Sequence, residues 1–223
     1  HPQGVFAEVP EAELDWRPLH WFSSGLDVRE LALRRGRLAR LPKLLPGDPE
    51  SPILPEFDIR IDRLSIEHLR VEKGVLGAPR RVDLSGSALV RKGVAKVRLD
   101  GRLGGEDRLH ALLDAEPDRD RFDLKLDYAA PKGGLLAGLT GIDRDTRGLV
   151  AGAGGWKRWD GALLARHDGQ GLAAVRLEKR DGRFSALGQA WPNGLLTGLA
   201  GRAAGRVVSI EAQGSLADRV LTG

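Results

Sequence analysis

The sequence predicts a mainly β protein: a long, curved antiparallel sheet of meanders forming an open groove (a β-taco), with an apolar inner face and a few short helical crossings. Three observations predict it. Apolar residues recur at every second position over long stretches, the spacing that gathers them on one face of a strand. The alternating runs are punctuated by Lys92-Gly93, Asp168-Gly169 and Asp181-Gly182, which suit two-residue hairpin loops. No long amphipathic helix is present to cover the sheet, so it either closes on itself or leaves its dry face open. The 30 glycines among 223 residues tilt the balance the same way.

Along the chain, Leu41 to Pro55 carries prolines at 42, 46, 49, 52 and 55 and reads as irregular loop. Phe57, Ile59 and Ile61 then alternate, followed by Leu64 with Ile66 and by Leu69 with Val71. The two phase changes predict bulges or bends. Val82, Leu84, Gly86, Ala88 and Val90 share a face, and Ala95, Val97, Leu99, Gly101 and Leu103 answer them across Lys92-Gly93. That loop sets Val90 opposite Ala95, Ala88 opposite Val97 and Leu84 opposite Gly101, so the apolar faces coincide. Asp83 with Arg102 and Ser85 with Asp100 fall on the wet face.

Leu109, Ala111, Leu113 and Ala115 continue the pattern, and a turn at Pro117 to Asp120 leads back through Phe122, Leu124, Leu126 and Tyr128. Four consecutive paired strands therefore span residues 82 to 128. Trp159, Gly161, Leu163 and Ala165 form a later strand. Ala173, Val175 and Leu177 form the next, then Phe184 with Ala186, and finally Val208, Ile210 and Ala212. Phe57, Ile59, Ile61, Leu84, Val90, Val97, Leu99, Leu113, Phe122, Leu124, Leu126, Tyr128, Leu163, Val175, Leu177 and Ile210 are the predicted lining of the dry face.

Between meanders, Pro131-Lys-Gly-Gly-Leu-Leu-Ala-Gly-Leu-Thr-Gly141 is echoed by Pro192-Asn-Gly-Leu-Leu-Thr-Gly-Leu-Ala-Gly201. The spacing makes a weak internal repeat of about 60 residues, with Pro18 to Gly25 as a third candidate copy. Each is expected to be a short apolar crossing between meanders. The implied sub-repeats are 11–80, 81–141, 156–201 and an incomplete 206–223, an interior slice of a larger repeating protein. Such a slice exposes sheet edges at both ends and invites edge-to-edge self-association.

The chemistry expected of an enzyme does not assemble. The absence of Cys removes disulfides and thiolate sites. His1, His20, His68, His110 and His167 have no metal-ligand spacing. Gly152 to Lys157 is no dinucleotide fingerprint, since Lys157 stands where the third Gly belongs. Asp118-Arg-Asp120-Arg-Phe-Asp123 has the acidic density of a calcium loop without its spacing, and reads as a hairpin turn. No catalytic residue, metal or cofactor is assigned. The net charge of +4 is interspersed, which argues against nucleic acid as a partner. Arg34-Arg35-Gly36-Arg37 with Arg40 is the one basic run, a candidate anionic contact or simply a solvated face. The longest charge-free run, Phe184 to Gly201, holds Pro192 and four glycines and makes a poor membrane-spanning helix.

Three segments resemble the TamB branch of the AsmA-like envelope proteins, in their alphaproteobacterial form. They are Leu14 to Phe22 running into Leu26 to Leu33, Leu54 to Leu64, and Asp114 to Leu124 running on to Leu136. The individual motifs are weakly specific, and their order over residues 11 to 201 carries the resemblance. It implies a periplasmic protein of a Gram-negative bacterium, anchored in the inner membrane by a segment outside this chain. It implies an outer-membrane barrel partner of the TamA type and a greasy groove that conducts or shields phospholipid or outer-membrane protein clients, autotransporters among them. It implies no enzyme activity. The alternative on the residues alone is a closed β-sandwich or barrel acting as a structural or adhesin scaffold without cargo.

Overall fold

The computed structural model describes residues 6–19, 25–40, 57–76, 79–140, 143–155, 157–191, 207–215 and 220–222. Its strands join one 15-stranded sheet. β1 (Ala7–Glu8) and β2 (Glu11–Trp16) lie at one edge, antiparallel to β4 (Arg37–Leu38) and β3 (Gly25–Arg34) respectively. Next comes β5 (Asp58–Val71), then α1 (Lys73–Leu76) and a meander of β6 (Arg80–Arg91), β7 (Val94–Leu103), β8 (Arg108–Glu116) and β9 (Arg121–Ala130). After α2 (Leu135–Thr140) follow β10 (Thr146–Gly154), β11 (Arg158–His167), β12 (Gln170–Arg180), β13 (Arg183–Ala190), β14 (Val208–Ser215) and β15 (Val220–Thr222). From β5 onward spatial order is chain order.

The predicted registers are the observed ones. Val90 faces Ala95, Ala88 faces Val97 and Leu84 faces Gly101. Ala115 faces Phe122, Leu113 faces Leu124 and Leu109 faces Tyr128. The loops explain why: Lys92 and Gly93 have φ of 49 and 73°, Asp168 and Gly169 of 45 and 80°, Asp181 and Gly182 of 48 and 81°. Two positive φ values in a two-residue loop match the right-handed twist of the flanking strands. Pro117–Arg119 forms a 3-10 turn closed by Asp120 at φ 49°, so the acidic cluster there is a hairpin turn. Both phase changes in β5 are register shifts, between Ile61 and Leu64 and between Ile66 and Leu69.

Three features depart from the sequence reading. The sheet is mixed, because β3 and β4 run parallel to β5. Parallel neighbours need a connection of about a dozen residues or more. The proline-rich Leu41–Pro55 stretch lies in that connection, outside the described residues. Second, β1 to β4, β15 and β10 were not anticipated, and for β10 the reason is visible. Its dry side carries Thr146, Gly148, Val150 and Gly152 and its wet side Arg147, Leu149, Ala151 and Ala153, so hydropathy does not alternate. Third, α1 makes a short turn between β5 and β6 that no motif announced. The crossing expected at Pro131–Gly141 is realised by α2, between β9 and β10. Its echo at Pro192–Gly201 and the centre of Pro18–Gly25 lie outside the described residues.

The sheet does not close. Among the described residues β2 pairs only with β3 and β15 only with β14. The closed sandwich or barrel is therefore not formed. The β2 edge offers unpaired backbone beside Leu14, which is 53% exposed. We expect the mass measured by light scattering to rise with concentration, and Leu14→Lys to suppress that rise, since an edge lysine resists strand addition. A mass independent of concentration would contradict a sticky edge.

Candidate functional site

Register places the predicted lining residues, Phe57 apart, in four transverse rows on one face. One row runs Leu64, Gly86, Leu99, Ala111, Leu126, Val150, Leu163, Val175, Gly188, Ile210. A second runs Ile61, Ala88, Val97, Leu113, Leu124, Gly152, Gly161, Leu177, Ala186, Ala212. Beside them stand a row holding Ile59, Val90 and Phe122 and another holding Leu84 and Tyr128. The two long rows cross from β5 to β14, about 43 Å at about 4.8 Å per strand. No charged side chain interrupts either.

These rows are half-exposed. Of the predicted lining only Val175 is buried, at 7% exposure, and Phe57 is exposed. The other buried apolar residues of this face in β6 to β9 lie toward strand ends: Val82, Ala95, Ala115 and Ala130. The middle of each of these strands keeps apolar surface in contact with water. Partly exposed apolar rows of this length are unusual for a monomer and mark surfaces that bind something.

Aromatic packing gives the wall a fixed point. Trp159 (9% exposed) lies over the paired glycines 152 and 161: a Cβ built on Gly152 would stand 2.2 Å from its Cζ2, and one on Gly161 2.4 Å from its Cη2. Phe122 meets the indole edge-on, with centroids 6.3 Å apart. Gly152, one of the glycines that hid β10 from the sequence reading, thus forms with Gly161 a slot for the ring. Gly152→Val should displace it. We expect a stability loss of about 1–3 kcal/mol, as in overpacked cores, and a reduced near-ultraviolet dichroism signal. An unchanged melt and spectrum would show that the slot is not required.

The residue that sequence reasoning missed is Asp107. It is fully buried at 0% exposure, between β7 and β8. Both its carboxylate oxygens lie 3.0 Å from the Leu135 amide at the start of α2, and Oδ1 accepts the Tyr128 hydroxyl at 2.5 Å. Gly134 approaches so closely that a Cβ there would stand 2.6 Å from Asp107 Oδ2. The carboxylate therefore locks the Pro131–Gly141 crossing onto the meander at the end of the wall. Nothing in the sequence links position 107 to position 135, because the contact is made by register.

The opposite face is charged and largely self-neutralised. The basic run is paired: Arg34 with Glu13 and Glu67, Arg35 with Glu11, and Arg37 with Glu72. The hydrogen bond from Arg37 holds Glu72 below the usual carboxylate range. Its contribution to stability is present above the ordinary Glu value and fades as the pH falls below it. A cavity of about 910 Å³ opens on this face, over Leu89 and Leu112 and ringed by Lys96, Arg98, Asp114, Asp123 and Lys125. His68 sits on Asp83 at 3.2 Å and His110 on Asp100 at 2.7 Å, while His167 is buried at a strand end. His1 and His20 lie outside the described residues. Among the described residues no cluster of His, Asp or Glu suits a metal, and no helix is long and apolar enough to cross a membrane.

Comparison with protein-family models, with curated proteins and with solved structures finds no match to this chain.

Proposed function

We propose that this chain is a segment of a hydrophobic conduit, whose apolar wall shields phospholipid or another apolar client from water. The observation that carries the reading is the pair of rows, free of charged side chains and with only Val175 buried, that cross ten strands. Apolar cargo laid on them is stabilised by about 25 cal/mol per Å² removed from water. Aliphatic walls impose no directional bonds, so cargo can slide along them. The resemblance to TamB-like proteins supplies the setting of the proposal: envelope biogenesis in the periplasm, an inner-membrane anchor and an outer-membrane barrel partner of the TamA type. In this reading the chain performs no catalysis and takes no cofactor.

The test is direct. The purified chain is mixed with a fluorescent phospholipid and with a short polar analogue of the same headgroup, and bound ligand is counted by native mass spectrometry. The conduit predicts saturable uptake of the acylated compound alone. Equal uptake of both, or of neither, would remove the basis for the proposal.

A further inference from the structure

Cross-strand register on the polar face brings four arginines into line. Arg102 of β7 faces Arg108 of β8; across Ala129 of β9 the row continues to Arg147 of β10, which faces Arg166 of β11. Among the described residues none of the four makes an ion pair, although Arg29, Arg34, Arg60, Arg91 and Arg176 on the same sheet all do. Like charges directly opposite each other in an antiparallel pair are destabilising. Arg102 with Arg108 and Arg147 with Arg166 are two such pairs in one row. Asp83 of β6 faces Arg102 from the other side but accepts from His68 and makes no ion pair with the arginine; a surface that breaks a local rule this way is where function is expected.

We propose that this row binds the phosphate groups of an extended polyanion. The planar guanidinium fork matches phosphate oxygens bidentately, and two facing arginines make one clamp. The row spans four strand spacings, about 19 Å, enough for several phosphates in succession. Arg102, Arg108 and Arg147 also line a concavity of about 790 Å³, whose other polar groups include the carboxylates Glu67, Asp83, Asp100 and Asp127. The neighbouring row on the same face carries Asp100 and Asp127. Asp100 is engaged by His110, and both carboxylates repel a broad anionic surface. They confine the ligand to a narrow path along the arginines, which favours a soluble phosphate chain over a planar array of lipid headgroups. The site lies on the face opposite the apolar wall and does not depend on what that wall carries.

The experiment titrates the whole chain with sodium polyphosphate by calorimetry, and separately sediments it with phosphatidylglycerol and phosphatidylcholine vesicles. The variants are Arg102→Gln/Arg108→Gln, Arg147→Gln/Arg166→Gln, and the control Arg34→Gln/Arg35→Gln, which removes the same charge from the paired run. Each row variant should weaken polyphosphate binding at least about tenfold and the control less than about twofold, with binding falling steeply with salt. Row-dependent sedimentation with phosphatidylglycerol, and no polyphosphate binding, would keep the phosphate chemistry and assign it to lipid headgroups. Equal losses in row and control variants, or no binding of either probe by the parent chain, would overturn the proposal. Lysine replacements at the same positions keep the charge and serve as the test if a Gln pair fails to fold.

Discussion

Leu126→Arg should leave the sheet folded and lower the binding of apolar cargo at least about tenfold. Leu126 sits at the centre of a long row, between Ala111 and Val150, and is half-exposed. Its contribution to a bound acyl chain is that of one leucine-sized apolar contact, about 1.5–3 kcal/mol, which is ten- to a hundredfold in affinity. Folding is affected less. On an open wall the arginine lays its methylenes on its neighbours and keeps its guanidinium in water, so the melting temperature should fall by only a few degrees. In a closed core the same change would strand an unpaired charge and cost about 3–5 kcal/mol. Thermal melting and lipid uptake, measured on one variant, separate the cases. Collapse of the fold would mean that the wall is covered. An intact fold that still takes up lipid normally would remove this wall from the conduit.

How far the sequence was legible follows from where each signal resides. The registers of β6 to β9 were readable because alternation and turn chemistry are local: Lys92-Gly93 alone sets Val90 against Ala95. The bulges of β5 were readable as breaks in phase. β10 was not, since Gly148 and Gly152 erase the alternation and the second has its reason in Trp159, seven residues further on. The parallel pairing of β3 with β5 was not, since nothing in either strand records the direction of its neighbour. The same limit governs function. The visible basic run, Arg34 to Arg37, turned out to be neutralised by Glu11, Glu13, Glu67 and Glu72. The four arginines of the polar-face row are scattered over residues 102 to 166 and meet only through register. A charge cluster in sequence tends to be answered by the strand it faces, whereas one assembled across strands has no local signature.

Asp107→Ala should destabilise the protein by about 3 kcal/mol, since it leaves the buried Leu135 amide and the half-buried Tyr128 hydroxyl without their acceptor and each loss costs about 1–3 kcal/mol. For a chain of this size that is a fall of roughly 10 °C in melting temperature. Exchange of the α2 amides should quicken before the rest of the sheet, because the crossing is tied to the meander through this carboxylate. Tyr128→Phe removes one of the bonds and should cost about 1 kcal/mol, while Asp107→Asn keeps an acceptor and should fall between. The phenol adds a pH signature. Burial, reinforced by the bond to Asp107, raises the Tyr128 pKa well above its ordinary value. A folded-state pKa raised above the unfolded one gives stability that is whole below the ordinary tyrosine value of about 10 and is lost as the pH climbs beyond it. The parent chain should therefore lose melting temperature above that pH more steeply than Tyr128→Phe. Parallel alkaline profiles for the two, or an Asp107→Ala variant that melts with the parent, would show that α2 is held by something other than this carboxylate.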